Sequence, residues 1–521
     1  MKKKVRFRYD ANNTVEQEVN YIPFRYILAI TLAILETAAI IAILIFMGKY
    51  VPYFYLAMWA TEIACVIHII ASDDNPDYKV PWLLIVLAVP VAGFMLYFIF
   101  GSRTLKKKFI RRLDSLRHQS YHSRDDVLLA QLREESPGIC SQAAMLTIIA
   151  DTHVFSDTTQ QYFPLGEYMH EKLLEDLKTA EKFIFMEYFI IEEGIFWDSI
   201  LDILKQKAAA GVEVRVVYDD IGCMLTLPGN YGKILTDFGI DAIPFSKLKG
   251  NADSEFNNRS HRKITVIDGR VGYTGGVNLA DEYINQKELF GHWKDVGLRL
   301  EGEAVRELTK LFLINYGINV KKLPEAKHDY FPEYSVEEPG YLIPFGDGPQ
   351  PIYERRVGKN VLLNMINSAT RSFLAMSPYL IPDNELCSAL ENAALRGVTV
   401  KLILPGIPDK WIVKELARSN YQRLLAAGVA LYEYTPGFVH AKCYLADEEV
   451  AMVGTINLDH RSLVHNFENG VWMYGCSCID DIRTDFAATQ EKCVRITPDN
   501  TRWTLVQRFI RSVAKVFAPM M

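Results

Sequence analysis

The sequence predicts an α/β protein of two duplicated lobes, packed with one site between them and preceded by an N-terminal transmembrane helical segment. Three observations predict it. One polar skeleton occurs twice, as HRKITVIDGRVGYTGGVN over residues 261–278 and as HAKCYLADEEVAMVGTIN over residues 440–457. Helical and β-rich patterns alternate in the same order before each copy. The first hundred residues differ from the rest in carrying three long apolar runs.

Those runs cover residues 26–47, 53–71 and 81–100, each near the ~20 residues that cross a bilayer. A cleaved signal peptide fits poorly, because a long polar stretch precedes the first run and no small-residue cleavage site follows it. Three runs in succession also argue against helices buried in a soluble domain. Glu36 and Glu62 lie inside two runs and are expected to face a neighbouring helix or an interface. Lys2, Lys3, Lys4, Arg6 and Arg8 precede the runs, and Arg103, Lys106, Lys107, Lys108, Arg111 and Arg112 follow them. The positive-inside tendency puts both flanks in the cytoplasm, whereas three full crossings would separate them. Residues 1–100 therefore read as a multi-pass anchor of two or three transmembrane helices, and residues 101–156 as a basic linker with helical pieces.

The first lobe is expected over residues 157–330 and the second over 331–521. The first opens with a helical pattern, LGEYMHEKLLEDLKTA, then a strand, KFIFMEYFII, a helix, SILDILKQKAAAG, and a strand, VEVRVVYDD. The second repeats this as GKNVLLNMINSAT, RSFLAMSPYLI, ELCSALENAALRG and VTVKLILPG. Gly211 and Gly397 follow helical patterns where a left-handed cap is needed. The alternation predicts helices around a mostly parallel sheet. Each copy of the skeleton reads as a hairpin. His261, Lys263 and Thr265 share one face of its first strand, as do His440 and Lys442 in the other copy. The return strand ends in a small-residue loop carrying Asn278 or Asn457.

In both copies Lys stands two places after His, Asp seven, Gly fourteen and Asn seventeen. A single His-x-Lys is a weak signal, but two copies with the same Asn offset suit phosphodiester displacement. A neutral imidazole can attack phosphorus and form a phosphohistidine. A second can protonate the leaving alkoxide and then deprotonate an incoming alcohol. Two ammonium groups, Lys263 and Lys442, and two amides, Asn278 and Asn457, can stabilise the charge on the equatorial oxygens. Each imidazole also needs a carboxylate to set its tautomer, and Asp295 in HWKD and Glu468 in NFEN are the downstream candidates.

The paired H-x-K-x4-D motifs, each followed by Gly and Asn, resemble the phospholipase D superfamily, and more narrowly its bacterial cardiolipin synthases. WLLIVLAVPVAGFMLYFIFGSR resembles that family's second membrane span, and FMEYFII, GGVNLADEY and GTINLDHRSLVHNFE resemble its site surroundings. The likeness covers nearly the whole chain from about residue 53, with the apolar run at 26–47 as an addition ahead of the usual pair. It implies a phosphatidyltransferase that joins two phosphatidylglycerols into cardiolipin and releases glycerol, without a metal or other cofactor. It also implies a catalytic set of His261, Lys263, Asp268, His440, Lys442 and Asp447, with His261 as nucleophile, His440 as acid and base, and the two Asp residues holding the turn. Asn278 and Asn457 would bind the phosphoryl oxygens. The expected partners are phosphatidylglycerol and membrane lipid, at a bacterial cell membrane, with the basic stretch at 103–112 favouring a cytoplasmic site.

A net charge of −6 argues against nucleic acid as the partner. No zinc motif or P-loop is present, and the eight cysteines read mostly as reduced core thiols. His460, His465 and His68 read as loop, supporting or packed residues. The C-terminal RWTLVQRFIRSVAKVFAPMM has one apolar helical face, which fits either an interfacial helix on anionic lipid or a helix packed on the domain. Two other readings stay open: a membrane-bound hydrolase using the same groups on water, and a non-catalytic lipid-binding scaffold.

Overall fold

The computed structural model describes residues 2–10, 13–20, 24–46, 50–72, 76–101, 125–247, 258–320, 324–350, 352–501 and 503–520. The basic stretch at 103–112 lies outside the described residues. A hairpin of β1 (Lys2–Asp10) and β2 (Asn13–Asn20) opens the chain. The first two apolar runs form helices α1 (Phe24–Phe46) and α2 (Val51–Ala71).

The third run is not one span. It forms α3 (Pro76–Ala88), breaks at Val89, restarts as α4 (Pro90–Leu96) and ends in a π turn, Tyr97–Gly101. Pro90 accounts for the break, because proline drives the residue before it out of helical geometry. Val89 accordingly sits at φ −138° and ψ 80°. The restart leaves amides at Val91 and Ala92 without helical acceptors. Glu36 of α1 accepts from both, at 2.9 and 3.0 Å, which is the neighbouring-helix contact expected of this acid. Among the described residues, one helix, Pro52–Ala71, is long and apolar enough to cross a membrane by length and composition. The expected multi-pass anchor therefore finds no support there.

The first lobe is a seven-stranded sheet with its strands in the order β3-β10-β8-β7-β4-β5-β6. They are β3 (Thr158–Phe163), β4 (Phe183–Tyr188), β5 (Glu213–Asp219), β6 (Asp241–Phe245), β7 (Ile264–Ile267), β8 (Val271–Gly275) and β10 (Gly297–Gly302); the short β9 (His292–Lys294) lies outside it. The second sheet has eight strands in the order β11-β20-β18-β17-β12-β14-β15-β21. These are β11 (Tyr341–Asp347), β12 (Ser372–Met376), β14 (Thr399–Pro405), β15 (Ala430–Tyr434), β17 (Cys443–Ala446), β18 (Val450–Gly454), β20 (Glu468–Tyr474) and β21 (Cys493–Arg495). Three short strands, β13 (Leu380–Ile381), β16 (Gly437–Val439) and β19 (Leu458–Asp459), complete the set.

The sheets are mixed, which corrects the mostly parallel expectation. Within the two large sheets, β4-β5-β6 and β12-β14-β15 run parallel, each successive pair joined by a crossover that contains a helix. The motif hairpins β7-β8 and β17-β18 are antiparallel, each closed by a three-residue loop, 268–270 or 447–449. The sheets approach each other through β8 and β18. Helix Val305–Asn319, buried over most of its surface, contacts β4, β6, β7 and β11 and fills the space between the lobes. Helices Asp125–Glu135 and Pro137–Ala150, expected within a linker, instead join the hydrophobic core, the latter against β11. All eight cysteines are unpaired and seven are buried.

Candidate active site

Each motif histidine was expected on the first strand of its hairpin. In both lobes it stands just before that strand, since β7 begins at Ile264 and β17 at Cys443. The cause is pairing across the lobes. The His261 amide donates to the Phe467 carbonyl at 2.8 Å, and the His440 amide donates to the Lys294 carbonyl at 2.7 Å. β16, immediately before His440, runs parallel to β9. Phe467 and Lys294 are the residues before Glu468 and Asp295, so each acid arrives beside the other lobe's histidine. His261 Nδ1 donates to Glu468 Oε2 at 2.9 Å, and His440 Nδ1 donates to Asp295 Oδ2 at 2.7 Å. Both acids are fully buried, and neither histidine is more than 8% exposed.

This crossing fixes the tautomer. A carboxylate can only accept, so each Nδ1 carries the proton and each Nε2 is left with its lone pair. Lys263 Nζ donates to the His261 carbonyl at 2.7 Å, and Lys442 Nζ donates to the His440 carbonyl. Burial pushes the Lys263 ammonium down to about 7, helped by the facing Lys442. Burial likewise brings Lys442 down to about 8. Burial holds His261 below its ordinary value. Burial and Lys442 take His440 to about 3. Burial works to raise Asp295 and Glu468, but the histidine, the lysine and the further hydrogen bond beside each together outweigh it and hold both low. The centre therefore contains two buried carboxylates, two neutral imidazoles and two crowded ammonium groups, an arrangement that favours an incoming anion.

The amides differ between lobes. Asn278 accepts from the Ile190 amide at 3.1 Å and donates to the Tyr283 hydroxyl at 2.7 Å, leaving one N–H for a ligand. Asn457 is buried, with its Oδ1 unpartnered and its amide interacting with Asp459.

Asp268 and Asp447, counted in the catalytic set but expected to act by holding the turn, lie at the far end of each hairpin, away from the imidazoles. Asp268 accepts from the backbone amides of Glu181, Lys182 and Phe183, each at 2.8 Å. Asp447 accepts from the amides of Thr370, Arg371 and Ser372 at 2.7–2.8 Å. Both occupy the left-handed region, at φ 53°, where Asp is tolerated. They staple the turn to the start of β4 or β12, and thus act on the site through the backbone.

Several contacts escaped the sequence reading. Tyr283 and Trp293 flank the His440 ring, at 5.4 and 5.6 Å between centroids, and Phe189 flanks His261 at 5.3 Å. Thr455 donates to Glu468 at 2.5 Å. Its counterpart is Gly276, where an added Cβ would lie 2.0 Å from Asp295 Oδ1. Comparing the two copies position by position exposes this Gly/Thr difference, but not what it accommodates. His460 is partly buried, while His465 is buried and meets the Tyr78 ring at 5.6 Å.

Comparison with known proteins places this geometry. The domain described as "Cardiolipin synthase, PLD-like domain" matches twice, over residues 173–312 and 362–489. A cardiolipin synthase of Geobacillus kaustophilus is 34% identical over 453 residues, which is 84% of this chain and 88% of that protein. The chain belongs to the cardiolipin synthase family. Its membership of that family extends through another named cardiolipin synthase, from Alkalihalophilus pseudofirmus, at 31% identity over 494 residues, 92% of this chain and 98% of that one. An uncharacterized protein of Streptococcus mutans is 40% identical over 464 residues, 88% of this chain and all of that protein. A phospholipase D-nuclease N-terminal domain matches residues 63–102, within the apolar segment. In fold, the chain is similar to phosphatidylserine synthase of Haemophilus influenzae, with a TM-score of 0.55, 14% identity, and coverage of 73% of this chain and 98% of that one.

Proposed function

We propose that this protein is a cardiolipin synthase, a phosphatidyltransferase that converts two phosphatidylglycerols into cardiolipin and glycerol. The observation that carries the reading is the crossed pairing of His261 with Glu468 and His440 with Asp295 around two lysines. Two oriented imidazoles flanking an anion site suit double displacement at phosphorus. His261 Nε2 attacks, the P–N bond forms, and the P–O bond to glycerol breaks as His440, protonated once the phosphodiester is bound, delivers its proton to the alkoxide. His440 then takes the proton of a second phosphatidylglycerol's hydroxyl, whose oxygen displaces His261 and restores it. Lys263, Lys442, Asn278 and Asn457 hold the phosphoryl oxygens through both steps.

The family relationship supports membrane association. We read residues 1–100 as the anchor, 157–330 and 331–521 as the lobes, and the cytoplasm as the site's side on the strength of the basic stretch at 103–112. Water is the competitor at the second step. Transfer prevails if the site holds the lipid alcohol in attack geometry, since effective molarities of roughly 10⁵ M or more exceed that of water.

The test is to give purified protein phosphatidylglycerol vesicles and quantify products early. Cardiolipin and glycerol in equal amounts, with little phosphatidic acid, are expected, and His261→Ala and His440→Ala each abolish them. Only the variant retaining the nucleophile accumulates a phosphatidyl-enzyme. Predominant phosphatidic acid would identify a hydrolase instead, and near-normal turnover by either variant would end the two-histidine assignment.

A further inference from the structure

The C-terminal helix, Leu505–Phe517, packs inside out. An amphipathic helix folded onto a soluble domain turns its apolar stripe inward. Here the stripe of Leu505, Val506, Phe509, Ile510, Val513 and Phe517 faces outward, with Leu505 82% and Phe509 70% exposed. The buried residue of the helix is Arg511, on the opposite side of its 3.6-residue period. Arg511 pairs with Glu415 of helix Trp411–Ser419 at 2.6 Å and stacks on Trp503 at 4.0 Å. Lys515 adds a contact to Asn420 at 3.2 Å, and a Thr504–Gln507 capping box fixes the first turn. The helix is thus anchored by its polar face while presenting its apolar one.

Its surroundings say what covers that face. The helix contacts α3, and the short turn that follows it, Ala518–Met520, contacts both α3 and helix His460–Val464. Trp411, one turn before Glu415 and on the same side, is 64% exposed. On the other flank, α2 and α3 carry their own exposed apolar side chains, Trp59, Ile63 and Leu84 among them. The exposed stripe therefore continues the apolar surface of the N-terminal helices. Arg508 borders it, as fits anionic headgroups. The root of α3 reaches the second lobe near the catalytic centre: Tyr78 packs on His465, two residues before the Phe467 carbonyl that receives the His261 amide, and Asp77 accepts from the Asn384 amide at 3.1 Å.

We propose that helix Leu505–Phe517 lies in the interface of a lipid bilayer, apolar face toward the acyl chains, and with α3 holds the mouth of the catalytic centre against the membrane surface. The role assigned to this contact, delivering lipid to the histidines without its leaving the bilayer, rests on the activity proposed above.

The test uses the full chain in phosphatidylglycerol vesicles, with Phe509→Cys carrying a bimane label and Asp202→Cys, exposed on helix Ile195–Ala209 of the first lobe, as control. Wild-type protein taken through the same labelling gives the background. A blue shift at position 509, and loss of its emission when the lipids carry a nitroxide high on the acyl chain, are expected, with neither at 202. Emission at 509 that lipid leaves unchanged would overturn the proposal. So would shielding that needs no lipid and grows with protein concentration, because the occupant would then be a second copy. Phe509→Glu with Val513→Glu is expected to lower turnover on vesicles but not on short-chain, singly dispersed phosphatidylglycerol, and equal losses on both would count against the membrane role. If wild-type protein made no cardiolipin, the proposed activity would fall while the quenching result stood.

Discussion

At the scale of single residues, the centre depends on where two carboxylates sit. Asp295 reaches His440 across a space that exists because residue 276 has no side chain: a Cβ there would lie 2.0 Å from Oδ1 and 2.7 Å from Cγ. Gly276→Ala is expected to push Asp295 off the imidazole and reduce turnover by about 10²-fold or more, the scale of a lost acid-base contribution. Thr455→Ser keeps the hydroxyl on Glu468 and is expected to retain activity. Steady-state assays, with circular dichroism to show an intact fold, decide between these outcomes. The lysines make a second prediction. Burial holds Lys263 and Lys442 down to about 7 and 8. A bound phosphate adds negative charge and raises both, so binding takes up protons at pH values between the free and bound pKa. Affinity for a phosphodiester, which has no titrating group of its own in this range, is therefore expected to weaken as pH rises through about 7 to 8. Calorimetry in buffers of different ionisation enthalpy would detect the uptake, and an affinity independent of pH across this range would contradict the assignment.

At the scale of elements, the repeated unit is the hairpin with its staple. Asp447 satisfies three backbone amides at the entry to β12, and the Arg371 guanidinium donates back to its carbonyl. Asp447→Ala leaves those amides without their acceptor and is expected to cost about 1–3 kcal/mol of stability. Because the residue is remote from the imidazoles, the molecules still folded should keep most of their turnover. Urea denaturation with activity normalised to folded protein separates the two effects. A full loss of activity in a stable variant would return Asp447 to the catalytic set. The broken third apolar run follows the same logic. A proline opens the helix, and the acid of a neighbouring helix accepts from the amides it exposes.

At the scale of the whole molecule, neither lobe contains a complete acid-base pair. Arg262 of the first lobe helps hold the join. It is fully buried and donates to the Glu468 carbonyl at 3.0 Å and the Tyr353 hydroxyl at 3.2 Å, both in the second lobe. Arg262→Ala should lower stability by at least about 1–3 kcal/mol through orphaned acceptors, and should also lower turnover, because the Glu468 backbone loses its support. Arg262→Lys is not expected to rescue either, since one ammonium cannot reproduce the planar fork. Thermal melts beside activity assays would show this, and an Ala variant with unchanged melting and turnover would remove Arg262 from the join.

The sequence by itself determined the duplication and the helix-strand order of each lobe, and it pointed to His261, Lys263, Asn278, His440, Lys442 and Asn457 as candidate site residues. All of these are written in local periodicity and fixed spacing, which survive without knowledge of long-range contacts. It also supplied Asp295 and Glu468 as carboxylates, but could not assign partners. Only the tertiary structure decided that each serves the other lobe's histidine, because that pairing joins residues 207 and 145 positions apart. The same holds for the mixed sheets, whose strand directions depend on which neighbours each strand finds. It holds too for the C-terminal helix. Its two faces are legible from a 3.6-residue period, but which face is buried depends on a partner, Glu415, 96 residues away.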